Sequence, residues 1–175
     1  MPATALFVRR KPLIYTDVLF AFVLWRFSIK FPKIHFKPSA LGPLQSVHLR
    51  EPLLWYFKRV KPLQTSPHVI AEMHGWAMSR SKAGLRRPAL GYFWRLAQEE
   101  LTRLGLEEGL IRVTDMELET LRSFGPIETA ILTLAKRQGT VVLTEDGRLR
   151  GECAHQEISV LSCSDVLAEW QENQV

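Results

Sequence analysis

Residues 125 to 149 read GPIETAILTLAKRQGTVVLTEDGRL, and segments of different periodicity follow one another within that stretch. Gly125-Pro126 marks a start, because proline is tolerated in the first turn of a helix. From Ile127 onward the apolar residues Ala130, Ile131, Leu134 and Ala135 recur at three- and four-residue spacing, which predicts a helix with one inward face, ending by Gly139. Thr140 to Thr144 (TVVLT) then reads as a strand with a wholly apolar centre, and a further helix is expected from Leu149 to His155. A strand apolar on both faces, with helices before and after it, belongs in a parallel sheet covered on both sides.

Working outward, Leu13 to Tyr15 predicts a buried strand that continues into an apolar helix from Val18 to Phe27. Residues 28 to 52 are irregular, with Pro32, Pro38, Pro43 and Pro52 among basic and aromatic side chains, and read as a basic, proline-rich insertion. Helices are expected over Glu51 to Val60, from Ser66-Pro67 through Trp76, and from Leu90 to Leu104, where Gly105 follows. Short strands are expected near Pro62 to Gln64 and at Leu110 to Val113, then a helix near Met116 to Ser123. Strand Ile158 to Leu161 and helix Asp165 to Trp170 close the pattern. The expected fold is a single α/β domain over residues 1 to 175, a three-layer α/β/α sandwich around a parallel sheet of about five strands.

At 175 residues, 46% hydrophobic and 23% charged, the chain is long enough to bury one core without staples. Its two cysteines, Cys153 and Cys163, have no CxxC partner, so neither a disulfide framework nor a zinc site is expected, and a reducing, cytoplasmic setting is. The apolar run Leu13 to Trp25 follows Arg9, Arg10 and Lys11 but is too short to cross a bilayer and contains Asp17, so no membrane association is expected. The net charge of +5 conceals an asymmetry: the first 62 residues hold eleven Lys/Arg against Asp17 and Glu51. A basic segment beside an acidic remainder suits a protein that attracts a polyanion with one surface and concentrates carboxylates on another, although a plain solvated face reads the same way.

Ligand sites in open parallel sheets form outside the carboxyl ends of the strands. Asp17 follows the first strand, and Glu145-Asp146 follows Thr144 at the end of VVLT. Glu128 falls in a first helical turn and Glu72 about two turns into another helix. Carboxylates gathered there stay ionised only if a hard cation compensates them, which makes Mg²⁺ or Mn²⁺ the expected ion. Each acid also has an ordinary use: Asp17 as a cap, Glu128 as a charge at a helix N-terminus, Asp146 in a turn and Glu72 as a solvated residue. His68 and Glu72 share a helix face, but spacing identifies no third zinc ligand. No P-loop, GxGxxG or GxSxG text occurs.

YTDVLF at Tyr15 to Phe20, SPHVIAE at Ser66 to Glu72, GPIETAILTLA at Gly125 to Ala135 and VVLTEDGRL at Val141 to Leu149 resemble the four motif blocks of the PIN domain family, in the family's order. The resemblance implies a PIN fold and a metal-dependent endoribonuclease. Glu72, Glu128 and Asp146 fall on the second, third and fourth acidic positions, and Thr144 on the hydroxyl position of the T-x-D turn. The leading Asp of the family falls on Tyr15, and its auxiliary Asn/Asp on Asp17. A phenol near pKa 10 is a poor Mg²⁺ ligand at neutral pH. Asp17, two residues further on, is the residue able to replace it, so Asp17, Glu72, Glu128 and Asp146 are the expected metal ligands and, with Thr144, the expected catalytic residues. The resemblance further implies RNA as substrate, a small antitoxin-like protein as partner in toxin-type members, and homodimers. Tyr15 keeps a second reading open: a PIN-fold module that has lost catalysis and holds RNA or a protein through its basic face.

Overall fold

The computed structural model describes residues 11–174. Five parallel strands form the central sheet: β1 (Leu13–Ile14), β2 (Gln64–Thr65), β3 (Glu107–Glu108), β4 (Val142–Leu143) and β5 (Val160–Leu161), in the order β3-β2-β1-β4-β5. Register is set by Leu13 opposite Gln64 and Val142, by Gln64 opposite Glu107 and by Val142 opposite Val160. Hydrogen bonding runs past the formal strand ends, for example from Leu13 N–H to Val141 O and from Tyr15 N–H to Leu143 O. Among the described residues eight α-helices cover the sheet to give the α/β/α sandwich: α1 (Thr16–Lys30), α2 (Arg50–Arg59), α3 (Pro67–Met78), α4 (Arg87–Arg103), α5 (Leu118–Phe124), α6 (Pro126–Gln138), α7 (Gly147–His155) and α8 (Cys163–Glu172). Among the described residues no helix is long and apolar enough to cross a membrane.

Helix α1 explains much of the architecture. Its sequence is apolar on nearly every side, and Val18 through Trp25 are all buried, so it must be wrapped by other elements. The stretch expected as a loose insertion does part of that wrapping. It begins after Lys30, three residues later than the sequence predicts, and folds into 3₁₀ turns at Pro38–Gln45 and Val47–Leu49 that bury Ala40, Leu41 and Leu44. Phe20 and Phe27 of α1 pack tilted and edge to face against Phe93 of α4, and Phe22 of α1 packs edge to face against Phe57 of α2.

One strand differs in position. The apolar letters Leu110 to Val113 predict it, yet the pairing segment is Glu107–Glu108, and Leu110 is 81% exposed. As the edge strand, β3 needs only backbone partners on one side, supplied by Leu63 O and Thr65 O, so both of its side chains stay in water and leave no apolar signature. The remaining elements lie within a few residues of their expected places, and Ser66 accepts the Val69 N–H as the N-cap of α3.

Strand order reverses beside β1: β2 and β3 lie to one side of it, β4 and β5 to the other. In doubly wound sheets the crevice at such a switch point, beyond the carboxyl ends of the strands, is where ligands bind.

Candidate functional site

Strands β1 and β4 end side by side at that switch point, and the residues after them meet across it. Asp17 Oδ2 accepts the Glu145 N–H at 2.7 Å and the Thr144 hydroxyl at 3.1 Å, while Oδ1 accepts the Val18 N–H at 2.7 Å. The Thr144 oxygen accepts the Asp146 N–H at 3.0 Å, and Asp146 Oδ1 caps α7 by accepting the Leu149 N–H at 2.8 Å. Thr144 therefore positions both neighbouring acids: it ties the turn after β4 to the first turn of α1.

The second half of the site comes from α3 and α6. Glu128 stands in the first turn of α6, and its Oε1 accepts the Tyr15 hydroxyl at 2.9 Å. Tyr15 is itself the N-cap position of α1 and is buried. Glu72, on α3, has Oε2 buried without a hydrogen-bond partner.

These groups share one electrostatic neighbourhood. Burial pushes Asp17 up to about 6, and the charge of Asp146 adds to the rise, against the hydrogen bonds from Glu145, Val18 and Thr144. Burial also raises Tyr15 far above the normal phenol range, reinforced by its bond to Glu128 and by the charges of Glu128, Glu72 and Asp146. Tyr15 is consequently a neutral donor at any physiological pH. Glu72 is raised by burial and by Glu128. Thr16, Lys82 and Trp76 oppose that rise, yet neither Thr16 Oγ1 nor Glu72 Oε2 completes a hydrogen bond.

Hydrogen bonds thus join Thr144 to Asp17 and to Asp146, and Tyr15 to Glu128, while Glu72 is linked to Tyr15 and Glu128 through charge. Among the described residues, however, no three His, Cys, Asp or Glu side chains form a group that could hold a metal ion as they stand. Their oxygens are already engaged within the protein: Asp17 spends both on backbone N–H groups and Thr144, Asp146 spends one on its own helix, and Glu128 gives one to Tyr15. The chemistry of the donor set still fits a hard divalent cation. It is all carboxylate oxygen, two of its members are destabilised as ions, and the orphaned Glu72 oxygen pays a desolvation penalty of roughly 1–3 kcal/mol that a cation would remove. The pair His68 and Glu72 gains no third His, Cys, Asp or Glu that would complete a zinc site among the described residues.

Several contributors escape a sequence reading. Cys163 is one, its N–H donating to Glu145 at the start of α8. Lys82 sits over the Trp76 ring, 4.2 Å from its centroid, and offsets the charge of Glu72. Nothing in the local pattern marks Lys82, since it reaches the site only because the turn after α3 folds back along that helix. Thr16 was within reach of the pattern, being the middle residue of the Tyr-Thr-Asp block. Comparison with family models, with curated proteins and with solved structures finds no match to this chain.

Proposed function

We propose that the protein is a PIN-type, metal-dependent endoribonuclease whose site is weakened by Tyr15. The observation that carries this reading is the set of carboxylates at the switch point, two of them destabilised as ions and one with an unpartnered buried oxygen. The four-block resemblance to PIN domains supports it. Asp17, Glu72 and Asp146 are the residues that would hold Mg²⁺ or Mn²⁺, with Glu128 joining when Tyr15 releases it. Such an ion supplies a polarised phosphate oxygen and a water of lowered pKa. The chain's own residues do the remainder. Thr144 fixes the Asp17 carboxylate against the turn after β4, the buried core beneath β1 and β4 keeps bulk water from one side, and the neutral Tyr15 hydroxyl donates without adding charge.

A second reading is favoured by one specific contact. The Tyr15 hydroxyl gives Glu128 a partner that needs no cation, which suits a PIN-fold module that holds RNA without cutting it. An antitoxin-like partner and a homodimer follow from the resemblance alone. Calorimetric titration of Mn²⁺ separates the two readings. The nuclease reading expects a saturable isotherm in the wild type that disappears in Asp146→Asn, together with Mn²⁺-dependent RNA cleavage. Absence of Mn²⁺ binding at millimolar concentration sinks it and leaves the binding module.

A further inference from the structure

A groove of about 830 Å³ opens between the chain after α1 and the turn joining α3 to α4. Three cations line it, Lys37, Arg80 and Arg86, together with His35, and no acidic residue does. Among the described residues none of the three cations is in a salt bridge. Lys30 and Arg26, by contrast, are held by Glu99 at 2.6 Å and by Glu100 at 3.1 Å. Cations that cost side-chain entropy to order and have no internal partner are the ones free to meet a polyanion.

The groove is also built rather than accidental. Lys37 N–H donates to Ala83 O, Ala83 N–H to Trp76 O, and Leu85 N–H to Ala77 O, so the loop, the turn and the end of α3 are fastened together. Arg86 is the N-cap residue of α4, whose first turn no side chain caps, and the free N–H groups there add positive potential. Apolar surface is present too: Met78 is 53% exposed and Phe36 half-buried at the groove. Mixed cationic and apolar lining suits a strand with unpaired bases better than a duplex, whose bases are hidden.

Helix α3 connects the groove to the carboxylates. Glu72 and Met78 lie on the same helix, about 9 Å apart along its axis at the usual rise per residue. Lys82 bridges the interval, stacked on Trp76 and offsetting Glu72. We propose that this groove is a docking site for the phosphate backbone of a single-stranded nucleic acid and leads the strand toward the carboxylate edge. The inference rests on the nuclease reading for the purpose of that strand, but its binding chemistry is independent of the metal.

The test uses a fluorescently labelled single-stranded oligouridylate, read by anisotropy in EDTA across a series of KCl concentrations. In the triple variant Lys37→Ser, Arg80→Ser and Arg86→Ser, binding weakens, and the slope of log affinity against log salt falls by about 2, three contacts at about 0.7 each. Lys30→Ser, already paired with Glu99, leaves the slope unchanged. Affinity and slope equal to wild type in the triple variant overturn the proposal, as does equal binding of duplex, or displacement of the strand by polyglutamate at matched charge. Arg80→Ser alone, which removes one exposed side chain, repeats the measurement should the triple variant melt early. Because EDTA removes metal, failure of the nuclease reading leaves this result standing. Loss of the groove, conversely, leaves Mn²⁺ titration of the acids unchanged.

Discussion

Tyr15 concentrates the tension in this site at a single side chain. Where the PIN pattern has an acid, the chain presents a buried phenol that cannot ionise beside Glu128, Glu72 and Asp146 and so can only donate. Two substitutions separate its roles. Tyr15→Phe removes the donor and leaves Glu128 Oε1 without it, which should lower metal-free stability by about 1–2 kcal/mol in urea unfolding. Mn²⁺ should recover part of that loss if Glu128 can turn to the ion. Tyr15→Asp places an acid where the PIN pattern has one, and calorimetry should then show tighter Mn²⁺ binding than in the wild type. Because the new carboxylate also raises the pKa of its neighbours, the two titrations belong at one pH above neutrality, where the carboxylates are ionised. Weaker or equal Mn²⁺ affinity in Tyr15→Asp would mean that Asp17 already fills the vacancy.

At the scale of elements, the site depends on how helices begin. Asp146 caps α7, Ser162 and Asp165 form a capping box on α8, and Glu128 lies in the first turn of α6. The start of α6 is the most demanding. Gly125 has φ 93 and ψ 178, a conformation that is essentially restricted to glycine. A Cβ built there would lie 3.7 Å from Glu128 Oε2, so space is adequate and the strain is in the backbone. Gly125→Ala is expected to cost about 1–3 kcal/mol in urea unfolding. The strain also moves the turn that carries Glu128, so Mn²⁺ affinity should fall with it. Unchanged stability would show that the chain can start α6 another way.

For the whole molecule, the raised carboxylates make stability depend on pH. Asp17 goes from 3.8 to about 6, so between those values the folded state binds more protons than the unfolded one. Stability is therefore highest below the unfolded value and falls as pH rises through the folded one. A rise of that size corresponds to about 3 kcal/mol of ionisation cost, and Glu72 acts in the same direction. Without divalent ions the melting temperature should fall as pH goes from about 4 to about 6. Asp17→Asn should flatten that dependence, and Mn²⁺ should oppose it by favouring the ionised form. An equally steep dependence in Asp17→Asn would place its origin elsewhere.

Periodicity alone was enough to read the α/β class, the apolar strands β1 and β4, the caps at Ser66 and the start of α6, because each reports locally which side of a segment meets water. Three of the candidate acids were legible for a related reason: Asp17 and Asp146 follow strands and Glu128 opens a helix, and in a parallel sheet those ends share an edge, whereas Glu72, deeper in α3, was read from the four-block resemblance. Other features needed the folded chain. β3 pairs through its backbone at Glu107 and Glu108 with its side chains in solvent, so no alternation marked it. The apolar α1 signalled burial but not that the segment Pro38–Gln45 would cover it. The Tyr15 to Glu128 bond spans 113 positions, and the groove joins Lys37 to Arg80 and Arg86. A local pattern records only how each segment divides core from water. Which distant side chains then share a hydrogen bond or a charge is decided by strand order and register, and those exist only once the sheet has formed.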